Sequence, residues 1–252
     1  TGIILCYSLF PVALLLLEIA MERRSIGFGL AFATVASMIL LGRNELMSSR
    51  MAGSEVALAE MSIARIGAQA RPQLLIGGYG MGFTLRAALA ALPADARVTV
   101  AELVPEIIAW ARGPMRALAA GCLDDRRVQL VMGDVADRIA AAPATYDAIL
   151  LDVDNGPDGL VREGNDALYS ERGLRAAKHA LRPGGVLAIW SAAKDDAFAR
   201  RLKRAGFAVD EVTVRARGNS KGAKHIIWFA SPAPAAANTN NKPSEERAHV
   251  QR

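Results

Sequence analysis

From Gln73 onward, short apolar strand-like runs alternate with helix-like stretches, and this alternation leaves few folds open. The pattern predicts strands at 73–77, 97–102, 128–132, 147–152 and 186–191. Helices are expected at 80–92, 105–119, 135–142, 171–181 and 195–204. Pro105 suits a first helical turn, where its missing N–H costs nothing. Arg182-Pro183-Gly184-Gly185 reads as a helix stop. Strands separated by helices pair parallel, because each return requires a crossover. Two further strands, 208–215 and 224–230, are joined by Gly218-Asn219-Ser220-Lys221-Gly222 with no helix between them, so they pair antiparallel. The expected fold is a Rossmann-like α/β domain over residues 72–230. It has a seven-stranded, mostly parallel sheet, helices on both faces and an antiparallel C-terminal hairpin.

The flanks read differently. Residues 43–71 form a lead-in region with a helix over 54–66. Residues 231–252 have the Pro, Ala, Asn, Lys and Glu content of a disordered tail. Residues 1–42 hold two uncharged runs separated by Glu18, Glu22, Arg23 and Arg24. Each is near the lower length limit for a membrane-spanning helix. A membrane hairpin or anchor, and an artefactual or poorly defined appendage to a chain starting at Thr1, are both open readings. A signal peptide is disfavoured, since no basic segment precedes the first run.

Hydrophobic residues make up 52% of the 252, enough for a large core. The net charge is +5, but the arginines are scattered and no groove-reading element accompanies them, so no nucleic-acid partner is expected. Cys6 and Cys122 form neither a metal spacing nor a disulfide framework, which suits a reducing cytoplasm. His179, His225 and His249 lie far apart and show no ligand pattern. No metal site is expected.

The chemistry should sit where the strands end. Gly77-Gly78-Tyr79-Gly80-Met81-Gly82 follows the first predicted strand, and a glycine-rich turn there lets the backbone approach a nucleotide or nucleoside closely. Glu102 ends the second strand, about 20 residues on, where a carboxylate can accept both ribose hydroxyls. Asp134 follows the third strand; it can accept from an adenine amine, cap the next helix, or do both. Asp152 ends the fourth. Ligands of open parallel sheets bind at the carboxyl ends of strands, so Gly78, Glu102, Asp134 and Asp152 should converge. Gly78→Val and Glu102→Ala are each expected to abolish nucleoside binding while leaving the fold intact.

From Leu74 to Trp190 the chain resembles the spermidine synthase family within the class I S-adenosylmethionine-dependent superfamily. The matching pieces are Ile76-Gly77-Gly78, Thr99-Val100-Ala101-Glu102-Leu103-Val104-Pro105-Glu106, Asp125-Arg126-Arg127-Val128, Gly133-Asp134, Tyr146-Asp147 through Asp152, and Leu181-Arg182-Pro183-Gly184-Gly185-Val186-Leu187. The resemblance implies that Gly77, Gly78, Gly80, Glu102 and Asp134 bind the nucleoside. It further implies that Asp152 deprotonates or orients an attacking amine and that Asp154 helps bind the acceptor. Three departures stand out. Gly80 replaces the family's Asp in its glycine loop. Gly53-Ser54-Glu55 occupies the place of its Tyr-His-Glu. The acidic loop after the fourth strand reads Asp152-Val153-Asp154-Asn155-Gly156-Pro157. The implied function is a transferase using S-adenosylmethionine or its decarboxylated form as co-substrate, with aminopropyl transfer to a polyamine precursor leading. A methyltransferase on another acceptor and a nucleoside-binding protein without turnover are the alternatives. The expected partners are a small-molecule acceptor and a second copy of the chain, with membrane contact through residues 1–42 left open.

Overall fold

A computed structural model describes residues 38–41, 44–48, 52–153, 167–217 and 222–233. Strands β1 (Met38–Leu41) and β2 (Asn44–Ser48) form a separate antiparallel ribbon. The main body contains α1 (Gly53–Ile66), β3 (Gln73–Gly77), α2 (Phe83–Ala91), β4 (Arg97–Glu102), α3 (Pro105–Arg112) and α4 (Arg116–Ala119). A 3-10 turn at Cys122–Asp124 leads to β5 (Val128–Met132), α5 (Val135–Ala140) and β6 (Tyr146–Leu151). Then come α6 (Glu171–Ala180), β7 (Leu181–Ser191), α7 (Asp196–Arg204), β8 (Phe207–Arg215) and β9 (Lys224–Pro232).

The seven-stranded sheet has the order β5-β4-β3-β6-β7-β9-β8. Strands β3 to β7 pair in parallel, and β9 runs antiparallel to both β7 and β8. This is the Rossmann-like plan expected from the alternation. The chain moves outward from β3 through β4 to β5, then returns to β6 on the other side of β3. A topological switch point therefore lies between β3 and β6.

Each face of the sheet buries one apolar layer. Leu58, Leu85, Leu89, Ile107 and Ile108 from α1, α2 and α3 close over Ile76, Val100, Leu150 and Ala188. On the other face, Ile139, Leu174, Phe198 and Leu202 from α5, α6 and α7 close over Leu75, Ile149, Leu187 and Trp228. Strands covered on both sides read as continuous apolar runs, and β6 is buried along its whole length.

Three boundaries differ from expectation for local reasons. The helix expected over 105–119 breaks, because Gly113 leaves helical geometry (φ −109°, ψ −113°) ahead of Pro114, and the residue before a proline is pushed out of the α region. The helix expected from residue 80 begins at Phe83, because Gly80 and Gly82 hold positive φ and prolong the turn. Arg182-Pro183-Gly184-Gly185 lies within β7 as a bulge, between the Tyr146–Leu181 and Ala148–Val186 pairings.

Candidate functional site

Gly78, Glu102, Asp134 and Asp152 stand at the carboxyl ends of the adjacent strands β3, β4, β5 and β6. Three strand spacings make this row about 14 Å wide, the scale of a nucleoside. The backbone ties the row together. The Gly78 N–H donates to the Ala101 carbonyl at 2.9 Å, the Asp152 N–H to Gly77 at 3.0 Å, and the Gly133 N–H to Glu102 at 2.8 Å. Gly78 has φ +84°, and a Cβ added there would lie 2.3 Å from the Asp152 carbonyl oxygen. Only glycine fits between the turn and β6. Gly77 is also confined, since its Cβ would meet the Val135 side chain at 2.9 Å. Gly80 holds φ +55°.

Glu102 is buried, and both of its oxygens accept backbone hydrogen bonds. The Tyr79 N–H donates to Oε2 and the Val104 N–H to Oε1, each at 2.8 Å. The carboxylate is thereby locked to the glycine turn, and each oxygen keeps a lone pair for a further donor. Asp134 caps α5, with Oδ1 accepting from the Ala136 N–H at 2.8 Å. The capping role is present, and its other oxygen makes no hydrogen bond among the described residues. The Tyr79 side chain turns away from this row into the core, its hydroxyl 3.5 Å from the Cys122 thiol.

Beside the switch point a second group of side chains gathers. Asp152 accepts from the Thr84 hydroxyl of α2 at 2.7 Å. Desolvation pushes its carboxyl up to about 6. Glu55, in the first turn of α1, is pushed up to about 7 by burial and then by the negative charge of Asp152. The Ser54 hydroxyl donates to Glu55 Oε2 at 2.7 Å and lies 2.9 Å from His225 Nδ1 on β9. The His225 ring stands edge-on to Trp190 of β7, with centroids 4.8 Å apart. The Trp190 indole nitrogen is buried with no hydrogen-bond partner among the described residues, a donor left for water or a bound group.

The structure thus brings Gly77, Gly78, Gly80, Glu102, Asp134 and Asp152 to one edge of the sheet. Asp154 lies outside the described residues. Sequence reasoning assigned no role to Glu55, although its match to the Glu of the family's Tyr-His-Glu was an available signal. Nothing local marked Ser54 and His225 as neighbours, because they are 171 positions apart. Two other matching pieces have structural roles. Arg127 grips Asp125 through Nε at 3.0 Å and Nη2 at 2.8 Å, and its Nη1 reaches the Leu92 carbonyl at 2.9 Å. Asp147 accepts from the Gln73 N–H at 2.7 Å and from Arg182 at 2.9 Å, pinning the starts of β3 and β7 to β6. Among the described residues, no cluster of His, Cys, Asp and Glu could hold a metal ion, and no helix is long and apolar enough to cross a membrane.

Comparison with known proteins adds the family. The family described as the spermine/spermidine synthase domain matches residues 57–196. The chain is 32% identical over 181 residues to the polyamine aminopropyltransferase of Mycobacterium tuberculosis, covering 68% of this chain and 34% of that protein. It is 37% identical over 115 residues to putrescine N-methyltransferase 4 of Nicotiana tabacum, covering 45% of this chain and 28% of that protein. The chain thus spans about a third of the length of these curated relatives. The solved structure of spermidine synthase from Thermotoga maritima shares the fold, with a TM-score of 0.58 at 18% identity over 77% of this chain and 64% of that one.

Proposed function

The chain belongs to the spermine/spermidine synthase domain family, and on that premise we propose that it transfers an aminopropyl group from decarboxylated S-adenosylmethionine to a polyamine precursor. One observation carries the reading furthest. Asp152 sits at the switch point against the glycine turn, with a second carboxylate, Glu55, close enough to repel it. An amine acceptor needs this arrangement, because it binds as a cation and attacks as a neutral base.

In this reading the glycine turn admits the donor to the backbone, Glu102 accepts the ribose hydroxyls, and Asp134 uses its free oxygen for the adenine amine. The donor's sulfonium then lies over β3 and β6. Asp152 holds the acceptor amine in line with the carbon next to sulfur. A nitrogen–carbon bond forms as the carbon–sulfur bond breaks, and its electron pair leaves on sulfur as methylthioadenosine. Asp152 accepts one proton from the bound ammonium before the neutral amine attacks, and the product keeps its charge as a secondary ammonium. The reading assigns Asp154 to the acceptor's second ammonium, takes a second copy of the chain as partner, and sets the reaction in the cytoplasm, in keeping with the free thiol of Cys122.

Gly80 favours a second reading. The family's acid at this position holds the amine of the decarboxylated donor, and glycine removes that contact. A donor that keeps its carboxylate, with methyl transfer to an amine, would not need it. Isothermal titration with S-adenosylmethionine, its decarboxylated form and methylthioadenosine separates the two. Aminopropyl transfer predicts tighter binding of the decarboxylated donor. Preference for S-adenosylmethionine supports methyl transfer, and binding of none of the three contradicts both.

A further inference from the structure

Behind the carboxylate pair, a hydrogen-bonded chain runs across elements that are remote in sequence. Glu55 and Ser54 occupy the first turn of α1, and His225 lies near the start of β9. Ser54 is fully buried and touches both neighbours, Glu55 Oε2 at 2.7 Å and His225 Nδ1 at 2.9 Å. The alignment is held by backbone, since the Gly53 N–H donates to the Ala216 carbonyl just beyond β8, the strand paired with β9. His225 is only partly buried, so the chain starts in the cleft and ends at a side chain that water can reach.

The geometry points to Ser54 and His225 as a proton relay behind Glu55, joining the carboxylate pair of the cleft to a partly exposed imidazole. Its purpose rests on the aminopropyl-transfer reading, but its existence does not. A hydroxyl donates one hydrogen bond and accepts others, so the chain has two states. In the first, protonated Glu55 donates to Ser54, and Ser54 donates to the unprotonated Nδ1 of His225. In the second, Nδ1–H donates to Ser54, and Ser54 donates to the Glu55 carboxylate. Passing between them moves the Glu55 proton to Ser54 Oγ while the Ser54 proton moves to Nδ1. Glu55 is left as a carboxylate and His225 as an imidazolium, which can lose its Nε2 proton to water. Atoms and charge balance without another reactant.

The surroundings suit both ends. Glu55 faces Asp152 from the end of β6, and that charge with burial favours its protonated form. His225 faces Ser54 from α1 and the Trp190 ring from β7. Lys224 precedes it on β9, opposite Arg215 on β8. Burial lowers the basicity of His225, keeping Nδ1 free to accept. Once donor and acceptor fill the cleft, the relay gives the proton that leaves the acceptor amine a route outward. Ser54 and His225 act through Glu55, so they are positioning residues.

The full chain has three histidines, so histidine-selective ¹⁵N NMR can follow His225, with the signal assigned by His225→Asn. The His225 nitrogen shifts should carry a second inflection near pH 7, where Glu55 titrates, and Glu55→Gln should remove it. Ser54→Ala should shrink that inflection. Identical shift-versus-pH curves for His225 in wild type and Glu55→Gln overturn the relay. Turnover supplies a second readout. Asn at 225 can keep a hydrogen bond to Ser54 but cannot take up a proton, so His225→Asn should lower kcat about tenfold or more with KM little changed, and added imidazole should restore activity to His225→Ala. Unchanged kcat and pH profile in His225→Asn also overturn the relay. If the wild type forms no aminopropyl product, the functional reading fails, and the NMR shift alone decides the relay.

Discussion

Replacing Asp152 by Asn keeps an acceptor for the Thr84 hydroxyl but removes a proton acceptor from the cleft. Turnover of an amine should fall about 10²–10⁴-fold, with donor affinity nearly unchanged in calorimetry; equal turnover would remove Asp152 from the catalytic role. The acids at 152 and 55, raised to about 6 and about 7, set the pH dependence. A base must be unprotonated, so kcat/KM should climb as pH rises through this window. Stability should move the other way. The folded state holds protons that the unfolded chain releases near pH 4, so the pair's contribution is fully present below that pH and is lost as pH rises through the folded values. Glu55→Gln should therefore raise Tm relative to wild type more at pH 8 than at pH 5, read by thermal denaturation at both. The two binding-site variants expected to leave the fold intact do more than block a ligand. Glu102→Ala leaves the Tyr79 and Val104 N–H groups without their acceptor, at about 1–3 kcal/mol for each that stays buried. Gly78→Val puts a side chain into the Asp152 carbonyl. Both should lower Tm as well as donor affinity.

Among the elements, the glycine turn and the helix termini carry the site. Gly78→Ala is the sharper test of the turn. Left-handed φ alone costs an alanine about 1–2 kcal/mol, before the contact with Asp152 is counted. A Tm drop of about 2–4 °C per kcal/mol is expected for a domain of this size, and no drop would contradict the close packing of β3 on β6. The strand ends were legible in the sequence because each polar residue follows a continuous apolar run, as Glu102 follows Val98-Thr99-Val100-Ala101. The role of α1 was not. Its residues read as a lead-in, because helical periodicity says that Leu58 and Ala59 face something but not which sheet. Only the folded chain places Glu55 beside Asp152 and Ser54 against His225. The break at Gly113-Pro114 was written in the residues and overlooked, whereas the bulge at Arg182–Gly185 depends on Asp147 reaching Arg182 from a neighbouring strand.

Across the whole molecule, the composition breaks at Gly42-Arg43, and among the described residues both apolar layers are built from buried side chains between Leu58 and Ala230. That break and the strand-helix set after it predict that residues 43–230 fold without residues 1–42, giving a cooperative thermal transition by circular dichroism; a non-cooperative melt would show that the preceding segment is part of the fold. The mostly parallel sheet and its antiparallel hairpin followed from the alternation of strand and helix, and the family from motifs along the strand ends. The reaction turns on a smaller difference, the glycine at position 80. The most direct measurement is the mass of the product formed when the full chain is incubated with putrescine or cadaverine and each sulfonium donor in turn. The account predicts a gain of one aminopropyl group from decarboxylated S-adenosylmethionine, with methylthioadenosine released in equal amount. A methyl gain from S-adenosylmethionine, or no product from either donor at saturating amine, would contradict it.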